Sequence, residues 1–236
     1  MERRKILVIG GSASNNFGKV PDTQAWPKIL EKNLGGNTQV THVSHSGLTF
    51  VRGMNELANV DSADLIIMHF GTSIGWPISM IQLGTKAGID FDSEVAFNQP
   101  PYRSAQNRLK KDLRRLFRNT VKYVLFLFGL YRPRVSRKEL SDQIDVVINL
   151  AKLKCEKLVW VQHRALLKHR IVLEKATYDR YYLEIMKALK SRSSDFLQIV
   201  EIPDDFMIQE NYLFDCVHLS SSGHVALEKI IRRSIS

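Results

Sequence analysis

Only two cysteines, Cys155 and Cys216, occur among the 236 residues. They are too few for a disulfide framework and match no metal-ligand spacing, so we expect free thiols in a reducing compartment, with Cys216 beside Asp215 serving packing. The histidines His42, His45, His69, His163 and His169 recur at no regular ligand interval, so neither a metal site nor a cofactor is expected. Signal-peptide character is also missing: Met1-Glu2-Arg3-Arg4 leads into an apolar stretch of five residues, shorter than a secretory core, which predicts a cytoplasmic protein. The glycine-containing stretch Gly10-Gly11-Ser12-Ala13-Ser14 lacks both the Gly-x-Gly-x-x-Gly spacing and the Gly-Lys-Ser/Thr ending, which argues against nucleotide or phosphate binding. There is no internal repeat and no low-complexity tract. With 44% hydrophobic residues the chain can bury one sizeable core, and we read residues 1–236 as a single domain.

Acidic residues are scarce in one place. Residues 103–138 hold twelve Lys or Arg and one acid, Asp112, a balance of +11 against +10 for the whole chain, so everything else sums to about −1. Within this stretch Arg108, Lys110, Lys111, Arg114, Arg115 and Arg118 surround Leu109, Leu113, Leu116 and Phe117 at the spacing of a basic amphipathic helix. The apolar run that follows, residues 121–131, is too short to span a bilayer, which needs roughly 20 residues. It suits a membrane interface, with aromatics buried and arginines facing anionic headgroups, and equally a lid or an oligomer surface covered by protein. The wider stretch, residues 76–140, is read as an insertion. Although the sequence pI is about 9.6, the charges are not interleaved with stacking aromatics on a strand, and nucleic-acid binding is not expected.

Apolar runs and helical periods alternate along the rest of the chain. Strands are predicted at residues 5–9, 39–43, 64–70, 157–162 and 196–202. Helices are predicted at residues 23–34, 50–57, 140–153, 174–190 and from about Ser222 onward. Five strands alternating with helices imply a three-layer α/β/α sandwich around a mainly parallel sheet, whose carboxyl edge is where such folds bind ligands.

Four short blocks fall at the ends of those elements: Gly10-Gly11-Ser12 after the first strand, Ser46-Gly47 after the second, Gly71-Thr72-Ser73-Ile74 after the third, and Asp215-Cys216-Val217-His218 before the last helix. In type, order and spacing they resemble the SGNH (GDSL-like) hydrolase superfamily, across nearly the whole chain apart from the insertion. The resemblance implies an α/β fold of the SGNH or flavodoxin-like kind and a serine-dependent acyl ester hydrolase or O-acyltransferase. Ser12 would be the nucleophile, His218 the general base and Asp215 the group that orients the imidazole. The oxyanion donors would be the N–H of Ser12, the N–H of Gly47 and the residue at position 73.

Two blocks depart from the family pattern. Gly11 replaces the aspartate of Gly-Asp-Ser, and Ser73-Ile74 replaces Asn-Asp. A serine hydroxyl at position 73 donates one hydrogen bond but is short and rotates freely, and loss of an oxyanion donor typically costs roughly 3 kcal/mol in the barrier. Asn15 or Asn16 is a candidate replacement amide. We expect a small-molecule or glycan acyl ester as substrate, in particular an acylated carbohydrate or glycolipid met at an anionic inner membrane face. The alternative is a catalytically decayed glycan-binding or scaffolding protein of a surface-polysaccharide pathway. A homo-oligomer built through the insertion is a further expectation. His224 is expected to be structural, while His69 and His163 fall near strand ends, close enough to approach the pocket.

Overall fold

The computed structural model describes residues 3–14, 20–45, 48–71, 120, 124, 135–166, 172–213 and 218–235. The expected basic helix, and the expected apolar run except Val124, lie outside these residues.

Five parallel strands form one sheet: β1 (Arg4–Gly10), β2 (Thr38–Ser44), β3 (Ala63–Phe70), β4 (Cys155–Gln162) and β5 (Leu197–Val200), in the spatial order β2-β1-β3-β4-β5. The described helices are α1 (Trp26–Leu34), α2 (Phe50–Asn59), α3 (Arg137–Lys152), α4 (Val172–Lys190) and α5 (Ser221–Ile235). The central strands explain their composition: the last six residues of β3 are all buried, because a parallel strand inside a sandwich is covered on both faces. Alternation along the strands sorts their side chains into two cores. Leu7, Ile9, Ile66, Met68, Leu158 and Trp160 pack with α2, α3 and α4, while Ile6, Val8, Leu65, Ile67, Val159 and Val161 pack with α1 and α5. The expected three-layer α/β/α architecture is therefore the observed one.

Handedness accounts for the distribution of helices. The chain moves one way from β1 to β2 and the other way through β3, β4 and β5, and right-handed crossovers then place α1 on one face and α2, α3 and α4 on the other. β1 and β3 flank the point where the direction reverses, which on the carboxyl edge of such a sheet is where open α/β folds bind ligands.

Local chemistry sets most element ends. Thr49 caps α2 by accepting from the Arg52 N–H, and Ser136 and Glu139 form a reciprocal capping box at the start of α3. The last residues of the expected insertion therefore belong to the first turn of α3. The helix predicted from residue 23 begins at Trp26, after a short 3-10 turn at Asp22–Gln24. Pro27 is the reason: it contributes no N–H and disfavours helical geometry in the residues before it, so it fits only the first turn. α1 ends at Gly35, whose φ of +80° suits a residue without a Cβ. β5 is shorter than predicted, its register with β4 running only from Leu197 to Val200.

Candidate active site

Ser12 opens a 3-10 turn, Ser12–Ser14, two residues beyond the end of β1, and is half-buried while Ala13 and Ser14 are buried. The turn is closed by the Ser14 N–H to the Gly11 carbonyl at 2.9 Å and tied to β3 by the Gly11 N–H to the His69 carbonyl at 3.0 Å. Gly10 is required by close approach, since a Cβ there would overlap the Ser14 hydroxymethyl group. The chain leaving β2 comes to the same place: the His45 N–H donates to the Gly10 carbonyl at 3.0 Å, and His45 Nε2 lies 2.7 Å from Glu56 Oε1 on α2. Ser12, the nucleophile predicted from sequence, therefore stands at the carboxyl ends of β1 and β3.

The segment carrying His218 reaches this edge from the far side of the sheet. The His163 N–H donates to the Phe70 carbonyl and so continues from β4 along the end of β3. Tyr212 lies beside the His163 ring, with centroids 5.9 Å apart, and its hydroxyl donates to the Arg164 carbonyl at 2.6 Å. Tyr212 also bridges antiparallel to Leu219, and the Leu213 N–H donates to the His218 carbonyl at 2.7 Å. Ser220 then caps α5, its hydroxyl accepting from the Gly223 N–H at 3.1 Å. Ser12 and the partly buried His218 thus occupy the same carboxyl edge of the sheet. Gly47, Ser73 and Asp215, and with them Asn15, Asn16 and Cys216, lie outside the described residues.

Beneath this edge, on the α1/α5 face, is a group of side chains that the block pattern does not contain. His69 Nδ1 is 2.8 Å from Ser14 Oγ and accepts from the indole N–H of Trp26 at 3.2 Å. Because an indole N–H can only donate, the His69 proton resides on Nε2, and the Ser14 hydroxyl is the second donor to Nδ1. The Trp26 main-chain N–H donates in turn to Nδ1 of His224 at 3.3 Å, which gives His224 on α5 the structural role expected of it. His69, His163 and His224 are all essentially buried. Burial holds His69 well below the ordinary histidine value, with the neighbouring His163, His224 and His42 adding to the effect. His42 and His224 are lowered to about 4, in each case mainly by burial, with Lys28 contributing at His42 and His163 at His224. A histidine inside the apolar strand Leu65-Ile66-Ile67-Met68-His69-Phe70 is the one sequence signal that could have directed attention here.

Among the described residues, no cluster of three or more His, Cys, Asp or Glu is placed to hold a metal ion. The described thiol, Cys155, is free; it donates to the Ala151 carbonyl, and burial raises it to about 11, far from a reactive thiolate.

No protein-family model and no curated protein matches this sequence. Solved structures do match over almost its full length. A lipase/acylhydrolase from Enterococcus faecalis aligns at a TM-score of 0.63 and 11% identity, covering 98% of this chain and 95% of that one. A member of the lipolytic G-D-S-L family from Veillonella parvula aligns at 0.59 and 12%, covering 98% and 97%. A variant of Axe2, an acetyl xylan esterase from Geobacillus stearothermophilus, aligns at 0.60 and 13%, covering 100% and 95%. The chain has the fold of the SGNH (GDSL-like) hydrolases, as the four sequence blocks implied.

Proposed function

We propose that the protein is a serine-dependent acyl ester hydrolase or O-acyltransferase acting through an acyl-enzyme on Ser12. The position of the Ser12 turn, at the carboxyl ends of β1 and β3 and on the same sheet edge as His218, carries this reading. The esterase and acylhydrolase names of the structural neighbours agree with it.

In the proposed reaction Ser12 Oγ attacks the ester carbonyl as its proton passes to His218, while Asp215 holds the imidazole tautomer and stabilises its charged form. The tetrahedral oxyanion is met by the N–H groups of Ser12 and Gly47 and by the Ser73 hydroxyl. Collapse breaks the bond to the alkoxy group, which leaves as the alcohol with the proton from His218. Water or an acceptor hydroxyl then attacks the acyl carbon as it gives its proton to His218, and the bond to Ser12 Oγ breaks as His218 returns that proton to it; which of the two enters decides hydrolysis or transfer.

The substrate class we propose is an acylated carbohydrate or glycolipid, handled at the cytoplasmic face of an anionic membrane. Support comes from the +11 balance of residues 103–138 interleaved with apolar residues, and from the carbohydrate ester named for Axe2. No described helix is long and apolar enough to cross a membrane. Ser73-Ile74, standing where the family has Asn-Asp, favours a second reading: a non-catalytic glycan-binding or scaffolding protein on the same fold.

Intact-mass spectrometry after treatment with a serine-directed phosphonate separates the two. A single adduct on the wild type, absent from Ser12→Ala and slowed in His218→Ala, is the expected result. A folded wild-type protein that acquires no adduct supports the non-catalytic reading instead.

A further inference from the structure

The positions sharing the α1/α5 face of β3 with His69 are Leu65 and Ile67, both apolar and fully buried. An imidazole at the next such position is costly: it is completely buried, and among the described residues its Nε2 has no hydrogen-bond partner. What it provides in exchange is an acceptor, Nδ1, on which the Ser14 hydroxyl and the Trp26 indole converge. Gly10 belongs to the same device, because only a residue without a Cβ leaves room for the Ser14 side chain under the end of β1. The His69 main chain holds the other end of the turn through its carbonyl and the Gly11 N–H.

We propose that His69 is a positioning residue for the nucleophile: its carbonyl and its imidazole grip the turn of residues 11–14 on either side of Ser12, the second grip acting through Ser14. Trp26 fixes the imidazole in turn, donating to Nδ1 and lying edge-on to the ring at a centroid distance of 5.7 Å. Through its main-chain N–H, Trp26 also joins the assembly to His224 on the helix that follows His218. A neutral imidazole is the form that can accept at Nδ1, and its burial keeps it neutral. The catalytic consequence rests on Ser12 being the nucleophile; the mechanical grip on the turn does not.

The test uses the full-length wild type, His69→Asn, His69→Leu, Ser14→Ala and the double variant Ser14→Ala/His69→Leu. Asparagine places Oδ1 close to where Nδ1 stood and can accept both donors, whereas leucine fills similar space with no acceptor. Two readouts are taken: the limiting rate and half-saturation concentration for phosphonate labelling of Ser12, and amide hydrogen exchange at Gly11 and Ser14 with Ile66 and Ile67 as internal references. His69→Leu and Ser14→Ala are expected to lower the limiting labelling rate by roughly tenfold or more with little change in half-saturation, as a displaced nucleophile would. They should also speed exchange at Gly11 and Ser14 well beyond any change at Ile66 and Ile67. Asparagine should restore both readouts, and the double variant should be no worse than either single one. Wild-type labelling and exchange in Ser14→Ala would overturn the proposal, and that variant decides the matter if His69→Leu fails to fold. Should the wild type take no phosphonate, the esterase reading fails, and hydrogen exchange alone still upholds or overturns the grip on the turn.

Discussion

Mild acid should destabilise this protein before its carboxylates begin to titrate. His42 and His224 have values lowered to about 4, and His69 lies well below its ordinary value, all chiefly through burial. A histidine lowered in the folded state binds its proton more readily in the unfolded chain, so falling pH favours unfolding from about 6.5 down to the folded value. With a folded value near 4 against 6.5 unfolded, each such group removes about 2 kcal/mol between pH 7 and pH 5, so His42 and His224 together remove about 4 kcal/mol. His69 adds in the same direction, and protonating any one of the group opposes protonation of its neighbours. A loss of this size is a large share of a typical domain stability of about 5–15 kcal/mol. The carboxylates act lower on the scale. Asp145 is held below its usual value by its hydrogen bonds with Arg192, at 2.5 and 2.7 Å, so its contribution is present above about pH 4 and disappears only as the pH falls through that lowered value. Urea unfolding followed by tryptophan fluorescence at constant ionic strength, from pH 7 to pH 5, measures the histidine effect separately. His42→Gln should shrink the loss across that window by about 2 kcal/mol. A wild-type stability that stays flat within about 1 kcal/mol over the window would refute the reasoning.

Three further outcomes are expected. Gly223→Ala should cost about 3 kcal/mol in denaturant unfolding, because its Cβ would overlap the main-chain carbonyl of Asn211, which cannot turn aside as a side chain can. Ser73→Asn should raise the limiting rate of phosphonate labelling at Ser12 by roughly tenfold, by supplying an amide donor to the oxyanion, and an unchanged rate would remove position 73 from the proposed donors. Binding to phosphatidylserine vesicles, read by co-sedimentation, should exceed binding to phosphatidylcholine vesicles and weaken with salt. Replacing Arg114, Arg115 and Arg118 by Gln should reduce it by about 1 kcal/mol per residue, and equal binding to both lipids would count against the membrane-surface reading.

The alternation of strands and helices was legible in the sequence because each segment carries its own period. Residues 65–68 are apolar on both faces, as only a central parallel strand needs to be, and Gly10, Gly47, Gly71 and His218 all fall just beyond predicted strands or before a predicted helix. The Ser12 block and the His218 loop were legible for the same local reason, since the family pattern is written in consecutive residues. Boundaries were less so: Pro27 delays α1 to Trp26, and β5 stops where its register with β4 ends.

The order β2-β1-β3-β4-β5 came to the sequence reading only through the flavodoxin-like resemblance, and the tertiary structure is what displays it. Periodicity records which face of a strand is buried and is silent about which strand lies alongside. The buried assembly under the nucleophile was decided only by the tertiary structure. Ser14 and His69 are 55 residues apart and Trp26 and His224 are 198 apart, so neither pair leaves a local signature. Taken singly, these are a serine in a turn, a histidine in an apolar strand, a tryptophan on a helix and a histidine after a cap. Parallel pairing of Gly10 with His69, and packing of α1 and α5 on one face of the sheet, make them one hydrogen-bonded group.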